Sequence, residues 1–84
     1  MRFANDLTKI DVHGLHSEEA VYLVLQRLDF LRQFDVTELS IITGVGSHSI
    51  GRAVIQPALI SALEENHYSY DNRIAGQILV RVKH

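Results

Sequence analysis

Apolar residues recur along this chain with two different periods, and the switches between them mark six elements. Between residues 7 and 12 they alternate: Ile10 and Val12 fall on one side, Lys9 and Asp11 on the other, which is the period of a strand. From residue 18 to about 33, Val21, Val24, Leu25, Leu28 and Leu31 return every three or four positions. Glu18, Gln26, Arg27, Asp29 and Arg32 lie mostly off that stripe, so the segment reads as an amphipathic helix. Ser17 is the expected N-cap, and Glu18 and Glu19 suit the positive end of the helix dipole. Residues 38–43 form a second strand, whose Leu39-Ser40-Ile41-Ile42 centre suggests burial on more than one side. Pro57 fits the first turn of a second helix, residues 57–66, where its missing N–H costs nothing. Ala58, Leu59, Ala62 and Leu63 supply that helix with its apolar face, and Val54 and Ile55 belong to a short lead-in. Residues 67–70 and 78–82 read as two more strands, joined by a hairpin through 71–77.

The order β-α-β-α-β-β implies an α/β fold. A strand–helix–strand unit of this length predicts a parallel first pair with a right-handed crossover. Both helices must bury their stripes, and one shared sheet face does so for both. The expected architecture is a two-layer sandwich, two helices on a mixed four-stranded sheet. Eighty-four residues leave room for one core, so 1–84 is expected to be a single domain with residues 1–6 as a loose N-terminal tail.

Composition narrows the setting. The chain is 46% hydrophobic and 21% charged, the balance of a folded globular protein. It has no cysteine, so packing alone must hold it together, without disulfides or thiolate metal sites. A charged N-terminus without an apolar core, and apolar runs too short for a bilayer, place it in the cytoplasm by elimination and away from membranes. Its net charge of −2 argues against a strongly basic nucleic-acid clamp. Any nucleic-acid binding is therefore expected to be weak in isolation, with affinity borrowed from a larger parent protein or an oligomeric partner.

Two polar stretches interrupt the apolar pattern. If strands 1 and 2 are parallel neighbours, Asp11-Val12-His13-Gly14 and Thr43-Gly44-Val45-Gly46 meet at one sheet edge, where open α/β sheets bind ligands. Residues 44–51 form a polar loop of eight, with three glycines whose N–H groups can approach an anion. Ser47 and Ser49 add hydroxyl donors, and a flexible glycine-serine turn is the plain alternative. The loop lacks a Walker ending and stands in the wrong place for a dinucleotide fingerprint. Asp11 two residues before His13 can fix the imidazole tautomer and favour its charged form, as proton transfer needs. The plain alternative is a carboxylate capping a turn. His13, His16 and His48 could be assembled as metal ligands, but little beyond Asp11 could support them, so no metal and no cofactor are assigned. Arg52 is either a phosphate clamp or a solvated charge at the helix entry. Arg73, Arg81 and Lys83 could form a basic strip, although surface solubility explains them as well. Tyr68 and Tyr70 could stack bases, but such residues more often cover a sheet and are left out of the site.

The motifs also carry a resemblance. Ile10-Asp11-Val12-His13-Gly14-Leu15-His16 followed by Glu19-Ala20 resembles the Asp-Leu-His-Gly-Leu…Glu-Ala opening of the Smr (small MutS-related) domain family. Ile41-Ile42-Thr43-Gly44-Val45-Gly46-Ser47-His48-Ser49 is similar to that family's Ile-Thr-Gly-x-Gly-x-His-Ser signature. Ile55-Gln56-Pro57-Ala58 resembles its Leu/Ile-Lys-Pro-Ala step, and Gly76 with residues 78–82 its closing Gly-x-x-x-Val element. The ordered set, from about residue 7 to 82, is specific where each motif alone is modest.

This resemblance implies a fold related to the C-terminal domain of translation initiation factor three, and work on RNA or structured DNA. Several Smr domains are nicking or RNA-cleaving endonucleases. By that resemblance Asp11 and His13 match the motif implicated in cleavage, and Gly44 and Gly46 match the substrate loop. His48 and Ser49 match the His-Ser that follows the loop in one branch of the family. The chain departs at Val45, where many relatives carry Arg or Lys. The expected function is an endonuclease with catalytic Asp11, His13 and His48, and with Gly44, Gly46, Ser47, Ser49 and Arg52 on the substrate. The alternative is a non-catalytic module that binds nucleic acid, the ribosome or a protein.

Overall fold

The computed structural model describes residues 7–44 and 50–83, with the backbone alone for residues 50–54. Six elements follow in the expected order: β1 (Lys9–Asp11), α1 (Ser17–Leu31), β2 (Glu38–Ile42), α2 (Ile50–Glu65), β3 (Tyr70–Asp71) and β4 (Gln77–Arg81). They form one four-stranded sheet in the order β1-β2-β4-β3. β1 and β2 are parallel and adjacent, with Ile10 opposite Ile41, while β4 runs antiparallel to both β2 and β3. The carboxyl ends of β1, β2 and β3 therefore share one edge of the sheet.

One face of the sheet carries the core. Leu39 and Ile41 of β2 and Ile78 and Val80 of β4 are buried, as strict alternation requires. Against them pack Ala20, Val24, Leu28 and Leu31 of α1 and Ile55, Leu59 and Leu63 of α2. The opposite face of β2 is only half-covered at Ser40 and Ile42, so that strand is fully buried on one side rather than on more than one. Strand pairing runs slightly beyond the named bounds: the Val12 N–H donates to the Ile42 carbonyl at 2.9 Å and the Ser40 N–H to Thr8 at 2.8 Å.

Most element ends shift by a residue or two from the sequence reading, and three differences have a clear physical reason. The N-cap of α1 is His16, not Ser17, because the Ala20 N–H closes the first helical bond on the His16 carbonyl at 2.9 Å. Ser17 is thus the first helical residue, and the cap has no side-chain bond.

Helix α2 begins at Ile50 rather than 57, which leaves Pro57 inside it. An interior proline costs about 3 kcal/mol. Ile55, four residues before Leu59, extends the buried stripe back across it, and a fully buried side chain of this size returns about 1.5–3 kcal/mol. Ile50 and Gly51 consequently belong to the helix, and the expected eight-residue loop is shorter.

Strand β3 starts at Tyr70, not 67, because residues 66–68 finish the helix. His67 takes the left-handed conformation, φ +64°. Its N–H reaches the Glu64 carbonyl at 3.1 Å and the Tyr68 N–H reaches Leu63 at 2.9 Å, the paired bonds of a Schellman C-cap.

Candidate functional site

Strand β1 hands its last residue, Asp11, directly to a turn. Val12 is fully buried and anchors that turn, and the Leu15 N–H returns to the Val12 carbonyl at 3.2 Å. Gly14 sits at the third position with φ +84°, a conformation that L side chains resist. This geometry folds His13 back over Asp11. One carboxylate oxygen, Oδ1, accepts the His13 backbone N–H at 3.1 Å and stands 2.5 Å from the ring Nδ1.

The imidazole bond, and then the backbone bond, hold the Asp11 carboxyl below its usual range. Asp11 is therefore ionised at neutral pH and can only accept. It follows that Nδ1 donates, and Nε2 is the ring nitrogen able to take a proton. The pair is open to solvent, with 66% of the His13 and 54% of the Asp11 side-chain surface exposed.

The end of β2 meets this pair. Gly44 has φ +88°, and a Cβ added there would lie 3.0 Å from the His13 Cβ. No side chain fits between them without displacing the histidine. The N–H groups of Thr43 and Gly44 both donate to the Gly76 carbonyl, at 2.8 and 3.2 Å. Gln56 of α2 donates from Nε2 to the Thr43 hydroxyl at 2.8 Å. Asp11 and His13 thus meet Thr43 and Gly44 at the shared carboxyl edge, where Gly76 and Gln56 hold the end of β2. In the sequence those last two residues stand only as parts of motifs, with nothing to mark a role at the site.

Asp11, His13 and Gly44 are the site residues whose positions are described. Gly46, Ser47, His48 and Ser49, together with Val45, lie outside the described residues. Arg52 falls in the first turns of α2, and its side chain also lies outside them. Among the described residues no three His, Cys, Asp or Glu side chains gather as metal ligands would. Tyr68 and Tyr70 pack against the core, and the Tyr70 hydroxyl donates to Glu64 at 2.6 Å. The suggested basic strip is divided by its acidic neighbours: Arg73 pairs with Asp71 at 2.7 Å and Lys83 with Asp35 at 3.0 Å.

Taken together, the molecule is a two-layer α/β domain with an exposed Asp–His pair at the carboxyl edge of a parallel strand pair, against a glycine that opens a loop. The family model of the Smr domain matches residues 10–77, and the chain belongs to the Smr domain family, a nucleic-acid-binding fold. A Smr domain-containing protein of Schizosaccharomyces pombe is 35% identical over 74 residues, covering 86% of this chain and 36% of the relative. The chain thus spans about a third of that relative's length.

The solution structure of the SMR domain of NEDD4-binding protein 2 superposes with a TM-score of 0.78 at 28% identity, over 100% of this chain and 94% of that one. The solution structure of the B3BP Smr domain gives 0.75 at 32% identity, over 88% and 77%. The crystal structure of the human small-MutS related domain gives 0.76 at 30% identity, over 88% and 99%. Among the described residues, no helix is long and apolar enough to cross a membrane.

Proposed function

We propose that this Smr domain is an endonuclease that cleaves phosphodiester bonds in RNA or in structured DNA, with His13 as its proton-transfer group. The observation that carries the reading is the exposed Asp11–His13 pair, held by two bonds to one carboxylate oxygen and packed against Gly44. His13 Nε2 takes the proton from the attacking oxygen, a ribose 2′-hydroxyl in RNA or a water on DNA. The oxygen attacks phosphorus, and the bond from phosphorus to the leaving oxygen breaks. His48 is the candidate acid that protonates that oxygen. Asp11 holds the ring in its Nδ1–H tautomer and offsets the charge the ring acquires.

Negative charge grows on the phosphate as attack proceeds. The loop that Gly44 opens, through Gly46, Ser47 and Ser49 with Arg52 beyond it, is assigned to stabilise that charge, while the Gly44 N–H itself is committed to the Gly76 carbonyl. No metal or cofactor is assigned a step. The reading places the domain in the cytoplasm, within a larger parent or an oligomer that raises its weak affinity.

Initial rates on labelled RNA and on branched DNA test the proposal, with a chelator as a control for adventitious metal. A wild-type domain that cuts neither substrate overturns it. Val45 favours a second reading, because the position lacks the cation many relatives carry and the net charge is −2. In that reading the same edge holds nucleic acid without cutting it.

Binding separates Arg52 from the rest under either reading. Affinity should fall with salt on a shallow slope, and Arg52→Ala should flatten it by about one unit if the guanidinium meets a phosphate. An unchanged slope, measured by fluorescence anisotropy across a salt series, removes Arg52 from the interface.

A further inference from the structure

The chain segment that opens the loop is fixed from three directions at once. Thr43 is the one polar residue buried among the described residues, at 1% exposure. Its hydroxyl receives the Gln56 amide at 2.8 Å, and no buried side-chain N or O atom among the described residues lacks a partner. Its backbone N–H, and that of Gly44, both end on the Gly76 carbonyl. Gly44 then lies beside His13, close enough that a Cβ added there would come within 3.0 Å of the His13 Cβ. Position therefore passes from α2, through a buried hydroxyl, to the residue that lies beside His13.

We propose that Gln56 is a positioning residue: its amide clamps Thr43, Thr43 sets Gly44, and Gly44 sets His13 relative to the carboxyl end of β2. The inference rests on the nuclease reading for its effect on catalysis, but not for its effect on geometry. Losing the donor leaves the Thr43 oxygen buried without its partner, a situation folded proteins relieve by rotating the side chain or admitting water. Either response removes the link that ties residue 43 to α2. A shift at Gly44 is felt at His13, because a Cβ added at Gly44 would stand only 3.0 Å from the His13 Cβ. Catalysis is sensitive to such movement, since a misplacement of about 1 Å can lower a rate on the order of 10²-fold.

Gln56→Met keeps the length of the side chain and removes the donor, while Thr43→Val removes the acceptor. Thr43→Ser keeps the acceptor and serves as the rescue. Circular dichroism first confirms that each variant folds. If Thr43→Val does not fold, the comparison of Gln56→Met with Thr43→Ser stands alone. Two measurements then follow, of which the first needs no substrate.

In NMR spectra of the free domain, Gln56→Met and Thr43→Val should shift the His13 ring resonances and raise Gly44 amide exchange by about tenfold or more, while Thr43→Ser leaves both near wild type. In cleavage assays the first two variants should lose kcat by about tenfold or more with KM nearly unchanged, and the double variant should lose little further. If Gln56→Met leaves the His13 and Gly44 signals where they were, the clamp does not position the ring and the proposal is wrong, whether or not the domain cuts. If those signals move but even the wild type cuts nothing, the clamp is upheld and the nuclease reading fails alone. Equal losses in kcat and in folding stability, not rescued by Thr43→Ser, also overturn the positioning role.

Discussion

Two strands of this sheet end in the same local device. Asp11 closes β1 and accepts the backbone N–H and the ring Nδ1 of His13, two residues on. Asp71 closes β3 and accepts the backbone N–H of Arg73 at 3.0 Å and its guanidinium at 2.7–3.1 Å, again two residues on. Both pairs stand at the edge where the carboxyl ends of β1, β2 and β3 meet, separated by three strand spacings, about 14 Å. The Asp-x-cation turn is thus a way of ending a strand, and by itself it says nothing about catalysis. The difference lies in the partner and the neighbours. Arginine keeps its proton throughout the range in which enzymes work, so the Asp71 pair can only hold charge. Imidazole can give and take a proton, and only the Asp11 pair has Gly44 and the start of the β2–α2 loop beside it.

Cleavage should separate the two pairs most sharply. His13→Ala is expected to lower the rate on the order of 10²-fold or more, the usual loss when a proton-transfer group is removed. Asp11→Asn should cost nearly as much, since it keeps the shape but removes the charge that orients the ring. Under the proposed nuclease reading the two losses should be far from additive, as for residues that act as one unit. Arg73→Ala and Asp71→Asn should leave the rate near wild type. None of the four should unfold the domain, since all lie at exposed strand ends. If His13→Ala cuts as well as wild type, the contrast collapses and the Asp11 turn is structural like its counterpart.

Two glycines sharpen the contrast next, through stability. Gly14 and Gly44 both have φ near +85°, at +84° and +88°, so alanine is strained at either. A Cβ at Gly14 meets nothing within 4 Å, whereas one at Gly44 meets His13 at 3.0 Å. Gly14→Ala should destabilise by about 1 kcal/mol, from backbone strain alone, and Gly44→Ala by about 2 kcal/mol, because the histidine must also move. Urea unfolding with an unchanged m-value measures both. Equal losses would mean that His13 yields freely and that Gly44 does not hold it.

The parts legible in the sequence were those encoded locally. The stripe of Val24, Leu28 and Leu31 gave α1, and the alternation through Leu39 and Ile41 gave β2. The spacing of Asp11 and His13 pointed to the pair, but the turn through Gly14 brings the two side chains together, because β1 ends at Asp11. The start of α2 was not legible, because glycine, serine and an apparently first-turn proline all argue for a late start. Only the burial of Ile55 against the sheet outweighs them, and that is a tertiary fact. β3 was misplaced for a similar reason: Tyr68 and Tyr70 alternate as a strand would, yet the left-handed His67 keeps residues 66–68 in the helix cap. Gln56 and Gly76 reach the site from other elements, through bonds to a hydroxyl and to two backbone N–H groups. No periodicity in the chain announces such contacts.

The smallest expected effect is in acid, where the two aspartates can be compared directly. Hydrogen bonds from Arg73, first from its side chain and then from its backbone, lower the Asp71 carboxyl to about 2, and the corresponding bonds from His13 lower Asp11 below its ordinary 3.8. A carboxyl depressed in the folded state adds stability that is fully present above its unfolded value and is lost as pH falls through the folded one. For Asp71 that window runs from about pH 3.8 down to about 2. For Asp11 it also opens near 3.8 and extends below. Both groups are solvent-exposed, so the effect on unfolding should be slight, and the informative readout is the titration of each carboxyl carbon by NMR. Direct donation exceeds charge–charge attraction in both cases, so added salt should leave both midpoints low. Arg73→Ala should return Asp71 toward its ordinary value without touching Asp11, and His13→Ala should do the reverse. An Asp11 that titrates at its ordinary value in the wild type would mean that the imidazole does not sit on the carboxylate in solution. In that case His13 would lose the partner that sets its tautomer, and the two turns would differ by more than the identity of the cation.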